Sequence, residues 1–194
     1  VTKTELISAV RDYLNRPNIT SETISSWLSI VTGELNRALR EHPRNLVRAL
    51  FTQPAGSALI PLPTDLMAIV TLRQGKTIYR QYPATAIDEA EQMGNAFVER
   101  GTCLELYPTP SEDTNFTLDY HAAIAPFTDD FSSNWVSLYF PDIYLYGALK
   151  ESAVWIKSDQ RLVLWQSEFT RRVDELAAQG WNQNVAAVPT MVPA

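Results

Sequence analysis

The spacing of apolar residues changes period twice along this chain, and that change constrains its fold more than any other feature. At the start, Leu6, Ile7, Val10 and Leu14 fall on one helical face behind Thr2 and Glu5, which stand in the capping-box relation. This predicts a first helix to about Asn15. After Pro17, the cap-forming residues Thr20, Ser21 and Thr23 lead into Ile24, Trp27, Leu28, Val31, Leu35 and Leu39, whose spacings of three and four make a long apolar stripe. Pro43 stops that second helix.

From Asn45 to Ile124 the pattern becomes short runs punctuated by Pro and Gly, the mark of short strands. Leu46 to Thr52 and Ser57 to Leu62 are strand candidates on either side of Pro54-Ala55-Gly56. Ala68 to Arg73 and Lys76 to Gln81 make a hairpin around Gln74-Gly75, and Phe97 to Arg100 with Thr102 to Tyr107 make a second around Gly101. Phe116 to His121 alternates inward and outward as a strand does. Between the hairpins, Thr85 to Met93 reads as a short helix with Asp88 and Glu89 in its N-terminal half.

Helical spacing then returns. Ser132 to Tyr139 is one short segment, and Pro141 sits where proline is welcome as a first helical residue, followed by Leu145, Leu149, Ala153 and Ile156. Ser158 and Asp159 cap a last helix carrying Leu162, Trp165, Phe169, Val173 and Leu176, which Gly180 ends. Gly147 inside a helix costs about 1 kcal/mol relative to alanine, which points to a close helix approach there. Trp181 to Ala194 has neither period and reads as an extended arm, or else as a disordered terminus. Each helix has a single apolar stripe, so the two ends of the chain should share one core. The expected fold is α+β: a helical bundle of residues 1–44 and 132–180, a β-rich hairpin insertion over 45–131, and a C-terminal arm over 181–194.

Composition narrows the function. The 22 acidic side chains outnumber the 16 basic ones, for a net charge of -6, which argues against grip on a phosphate backbone. The single cysteine, Cys103, can form no intrachain disulfide, and a reducing cytosol is the natural place to fold. The polar Val1 to Glu5 start and the lack of any run near about 18 apolar residues predict a chain neither secreted by signal peptide nor embedded in a membrane.

The ingredients of an enzyme are thin. His42 and His121 lie far apart in sequence, and neither belongs to a metal-ligand pattern. Cys103 reads as a small hydrophobe in a strand, and no Gly-rich phosphate loop or GxSxG elbow appears. A carboxylate-based cell-wall glycoside hydrolase is the one catalytic alternative. Glu99 and Glu105 could face each other across the second hairpin, Asp88 and Glu91 share a helical face, and Asp129-Asp130 are adjacent. Solvated surface acids are the ordinary expectation at all these positions, so no catalytic residue, cofactor or metal is assigned.

Several short elements together resemble a known family. They are Leu62 to Leu66 (Leu-Pro-Thr-Asp-Leu), Leu106 to Pro110 (Leu-Tyr-Pro-Thr-Pro), Leu118 to Tyr120, and above all Asn134-Trp135, Tyr139-Phe140-Pro141-Asp142 and Tyr144 to Leu149. Their order and spacing over roughly residues 4 to 180 resemble the head-to-tail adaptor proteins of tailed bacteriophages, notably short-tailed ones. Trp135, Phe140, Tyr144 and Tyr146 in that motif suit either core packing or a subunit interface.

The resemblance implies a non-enzymatic virion protein at the neck between capsid and tail, assembled in the host cytoplasm. Rings of roughly twelve copies would join the portal to a downstream tail or nozzle protein, with DNA only passing through the lumen. The residues implied in interaction are Trp181, Val185, Val188, Met191 and Val192 of the arm, with the hairpin tips Gln74-Gly75 and Arg100-Gly101 reaching toward one neighbouring layer. Another ring-forming neck or tail component, such as a stopper or nozzle, is the alternative of similar composition.

Overall fold

The computed structural model describes residues 1–16, 18–153 and 161–186, with side chains through Gly180. Its described residues form an α+β protein of six α-helices and one seven-stranded sheet. In chain order these are α1 (Lys3–Leu14), α2 (Ser21–Ala38), β1 (Leu46–Gln53), β2 (Leu59–Pro61), β3 (Leu66–Gln74), β4 (Thr77–Tyr82), α3 (Ile87–Met93), β5 (Ala96–Arg100), β6 (Cys103–Tyr107), β7 (Thr114–Ala122), α4 (Trp135–Tyr139), α5 (Pro141–Ser152) and α6 (Leu162–Ala186). The chain divides into two compact units, Val1–Pro43 with Ile124–Ala194, and Arg44–Ala123.

In the first unit, local chemistry sets the helix ends. Thr2 Oγ1 accepts from the Glu5 N–H and Glu5 Oε2 accepts from the Thr2 N–H at 2.8 Å, so the capping box closes reciprocally. Asn15 ends α1 in the left-handed conformation at φ 50°, and Thr20 caps α2 through the Thr23 N–H. Pro141 stands in the first turn of α5, where its missing N–H costs nothing. The stripes read from the sequence then meet in one core. Val10, Ile24, Leu28, Val31 and Leu35 pack with Tyr144, Ala148 and Leu149 of α5 and with Trp165, Phe169, Val173 and Leu176 of α6. Burying each large apolar side chain is worth about 1.5–3 kcal/mol, which is what holds helices of modest propensity in place.

Two expectations for this unit fail. The segment expected from Ser132 becomes helical only at Trp135, because Asn134 takes the cap position and the Ser132 carbonyl instead accepts from the Lys3 N–H. Gly180 does not end the last helix, which continues to Ala186. Its role is close approach: a Cβ there would stand 2.5 Å from His42 Cδ2 and 3.0 Å from Pro43 Cδ. The start of the expected arm, Trp181 to Ala186, is therefore helical. Val188, Met191 and Val192 lie outside the described residues, as do Ile156 and the expected caps Ser158 and Asp159.

The second unit is the sheet, in the order β1-β7-β3-β4-β5-β6-β2. Both expected hairpins form, with Gln74 opposite Thr77 and Arg100 opposite Cys103. The strands flanking Pro54-Ala55-Gly56 do not pair with each other: β1 pairs with β7, and β2, shorter than expected, pairs with β6. All neighbours are antiparallel except β4 and β5, for which α3 supplies the crossover a parallel pair needs. One face of every strand turns to a common core, from Ala49 and Phe51 of β1 through Leu72, Tyr79, Phe97, Leu106 and Leu118 to Ile60 of β2. A sheet whose seven strands share one core must curl around it, and this one is nearly closed. The outer face is covered over β5 and β6 by α3, where Ala90 packs on Ala96, Val98 and Tyr107.

Candidate functional site

The carboxyl-terminal motif is a construction point of the helical unit. Asn134 Oδ1 accepts from the Ser137 N–H at 2.9 Å and so caps α4, while Asn134 Nδ2 donates to the Tyr144 hydroxyl at 2.8 Å and to the Ala125 carbonyl at 3.0 Å. The Tyr144 hydroxyl also lies 3.1 Å from Thr32 Oγ1, whose proton goes to the Leu28 carbonyl at 2.8 Å. Thr32 has one proton to give, so Tyr144 must donate to Thr32 and accept from Asn134. Every polar atom in this buried network is satisfied, and the burial pushes the phenol above its ordinary pKa. These residues lock α2, α4 and α5 together.

The other motif aromatics also serve the core. Trp135 stacks on His42 with ring centroids 5.0 Å apart and meets Phe140 edge-on, and the Arg172 guanidinium lies 4.3 Å from the centre of the Tyr146 ring. Gly147 marks the close approach that its cost in a helix implies. A Cβ there would stand 2.7 and 2.8 Å from the Val31 methyls and 3.0 Å from Phe169.

The two hairpin tips are exposed and point away from each other along the strands. Because β4 and β5 run parallel, with Arg80 opposite Ala96, the Gln74-Gly75 tip and the Arg100-Gly101 tip lie at opposite ends of the strands. About ten residues of strand separate them, roughly 30 Å at the rise of an extended chain. Each tip turns on a glycine at φ 58°. Gln74 accepts from the Tyr79 hydroxyl at 2.8 Å, and Arg100 pairs with Glu105 at 2.6 Å. The chain enters and leaves the sheet at the Arg100-Gly101 end, since Leu46 pairs with His121.

The outer face of β1, β7, β3 and β4 carries a charged cluster that the sequence did not signal. Asp119 is buried although it points outward, and it holds Arg48 at 2.6 Å, Arg73 at 3.0 Å and the Thr71 hydroxyl at 3.3 Å. The hydrogen bond from Arg48, then the charge of Arg48 and the contacts with Thr71 and Arg73, keep its carboxyl below the ordinary value against the opposing effect of burial. Only the strand order, which sets β7 between β1 and β3, brings these four residues together.

The catalytic candidates do not converge. Glu99 pairs with Leu104 and Glu105 with Val98, so the two carboxylates lie on opposite faces of their hairpin. The parity of their spacing, six residues around a two-residue turn, was the available signal. His42 and His121 belong to different units, and Cys103 is half-buried at the end of β6. Among the described residues, no group of three or more His, Cys, Asp or Glu side chains is placed to hold a metal ion, and no helix is long and apolar enough to cross a membrane.

In comparison with known proteins, the family model described as SU10 adaptor protein matches residues 1–192. No curated protein matches the chain.

Proposed function

The chain belongs to the SU10 adaptor protein family, a family of structural adaptors of phage particles, and from that premise we propose that it is a head-to-tail adaptor whose copies form a ring between portal and tail. The match over residues 1–192 carries this reading, because it takes in both units and the C-terminal segment at once. No catalysis is implied. The helices from the two ends of the chain form the bundle by which copies stand side by side, one heterologous contact repeated until the ring closes at roughly twelve members. The inserted sheet is the extension that spans toward other layers, with DNA passing through the lumen.

The positions of the hairpin tips refine the expected contacts. Tips about 30 Å apart at opposite ends of one sheet suit a part that bridges two neighbours, so Gln74-Gly75 and Arg100-Gly101 are assigned to different contacts. The C-terminal segment carrying Trp181, Val185, Val188, Met191 and Val192, whose first part continues α6 to Ala186, is assigned to a neighbouring subunit or the portal. Light scattering of the purified protein, alone and mixed with the portal of the same phage, tests the reading. A stoichiometric ring complex is expected; a protein that ignores the portal would overturn it.

A further inference from the structure

We propose that the open outer face of β1, β7, β3 and β4 is the surface that receives the next copy in the ring, and that its occupant is the acidic helix α3 of that copy. The inference rests on the ring reading above and adds, to the side-by-side contact of the bundles, a contact between the sheets of the same two neighbours. Strand register puts Leu50, Thr117, Arg73 and Ile78 in one row across this face, with Arg48 and Asp119 in the next and Arg80 beside Ile78 on β4. Leu50 is 77% exposed, and Ile78, which with Arg80 borders a pocket against Met93, Gly94 and Asn95, is 58% exposed. Leu50 at one edge and Ile78 at the other, with Thr117 and Arg73 between them, give this face apolar margins around its charged centre.

Charge identifies the occupant. The face carries Arg48 and Arg73 against the one carboxylate of Asp119, with Arg80 at its β4 edge beside Met93 to Asn95, in a chain whose net charge is -6. The complementary surface is on the same molecule: Asp88, Glu89 and Glu91 are exposed on α3, which contains no basic residue. Sheet closure sets the two apart. β7 and the α3-covered pair β5 and β6 lie three and four strands apart in a sheet of seven curled around one core, so they look outward in roughly opposite directions. A basic, apolar face on one side and an acidic helix on the other form a head-to-tail pair that repeats around a ring.

The experiment is a charge swap read as ring formation on the portal, by light scattering. Leu50→Glu should weaken assembly at least about tenfold while leaving the thermal transition unchanged, and Leu50→Arg should assemble normally, because only the sign of the charge matters to an acidic partner. Adding Glu89→Lys and Glu91→Lys to Leu50→Glu should restore the ring. Within one chain α3 covers β5 and β6, and in a nearly closed sheet β6 is reached from β1 through β2, so the thermal transition of the free subunit is read alongside: a restored ring with that transition unchanged by the lysines reports contact between copies. A normal ring with Leu50→Glu overturns this interface. Loss with both Leu50 variants, or loss that the lysines do not restore, overturns α3 as the occupant and leaves the face to the portal or another partner. Wild-type protein that forms no ring removes the ring reading itself, a result distinct from either.

Discussion

Replacing Gly147 with alanine should loosen the helical unit even though alanine is the better helix former. The new Cβ would lie 2.7 and 2.8 Å from the two Val31 methyls and 3.0 Å from Phe169 Cε2, whereas carbon atoms rest about 3.5–4.0 Å apart. Neither neighbour can easily yield. Val31 is fully buried on α2, with one preferred rotamer in a helix, and Phe169 is pinned in the core from α6. Overpacking of this kind costs about 1–3 kcal/mol, and a site squeezed from two helices belongs at the upper end. The propensity gain of about 1 kcal/mol offsets part of it, for a net loss of about 2 kcal/mol.

Urea titration followed by tryptophan fluorescence is the assay. Trp27 and Trp165 are buried in the helical core and Trp135 packs against it, while the sheet unit Arg44–Ala123 contains no tryptophan, so the emission of these three follows the helical unit. Val31→Ala supplies the second leg of a cycle, since it removes both clashing methyls and leaves room for a methyl at 147. The double variant should be more stable than the summed single losses by about 1–3 kcal/mol. A neutral or stabilising Gly147→Ala, or an additive cycle, would refute the claim that this glycine exists for helix contact.

Three further outcomes follow from the same structure. Asp119 has a depressed folded pKa, so its contribution is fully present above its unfolded value, about 3.9, and is lost as pH falls through the folded value. Hydrogen exchange of residues 44–123 on acidification below pH 4 should show wild type losing more protection than Asp119→Asn; parallel losses would contradict the assignment. Tyr144→Phe should cost only about 1 kcal/mol by chemical denaturation, because Thr32 and Asn134 keep other partners, whereas Asn134→Ala removes a cap and strips a donor from a buried hydroxyl, for about 2–4 kcal/mol. The reverse order would break the proposed direction of the network. Removing residues 187–194 should leave urea stability unchanged and abolish attachment to the portal; normal attachment would sink the role given to that segment.

Much of this fold was legible because its signals are local. A capping box closes within four residues, a proline forbids a helix interior wherever it sits, and a two-residue turn on glycine joins neighbours in sequence. Thr2 and Glu5, Pro141, Gly75 and Gly101 were therefore read correctly without a partner in view. Gly180 was not: glycine serves both as a helix terminator and as a close contact, and only His42, far away in sequence, decides between them. The network of Asn134, Tyr144 and Thr32 was half visible, as motif residues, while their bonds depend on helices 112 residues apart in the chain. The Asp119 cluster was invisible for the same reason.

By itself, the sequence determined which segments are helix and which are strand, because the period of apolar residues and the chemistry of their ends are properties of a few residues at a time. It determined the acidic balance and the family as well. Tertiary structure alone decided the strand order, and with it the closure around a single core, the opposite directions of the two hairpin tips and the outward pairing of Asp119. Several orders would satisfy every local rule in this sheet. The one adopted buries all seven inner faces together, and that free energy belongs to the whole set of strands and to no window of sequence.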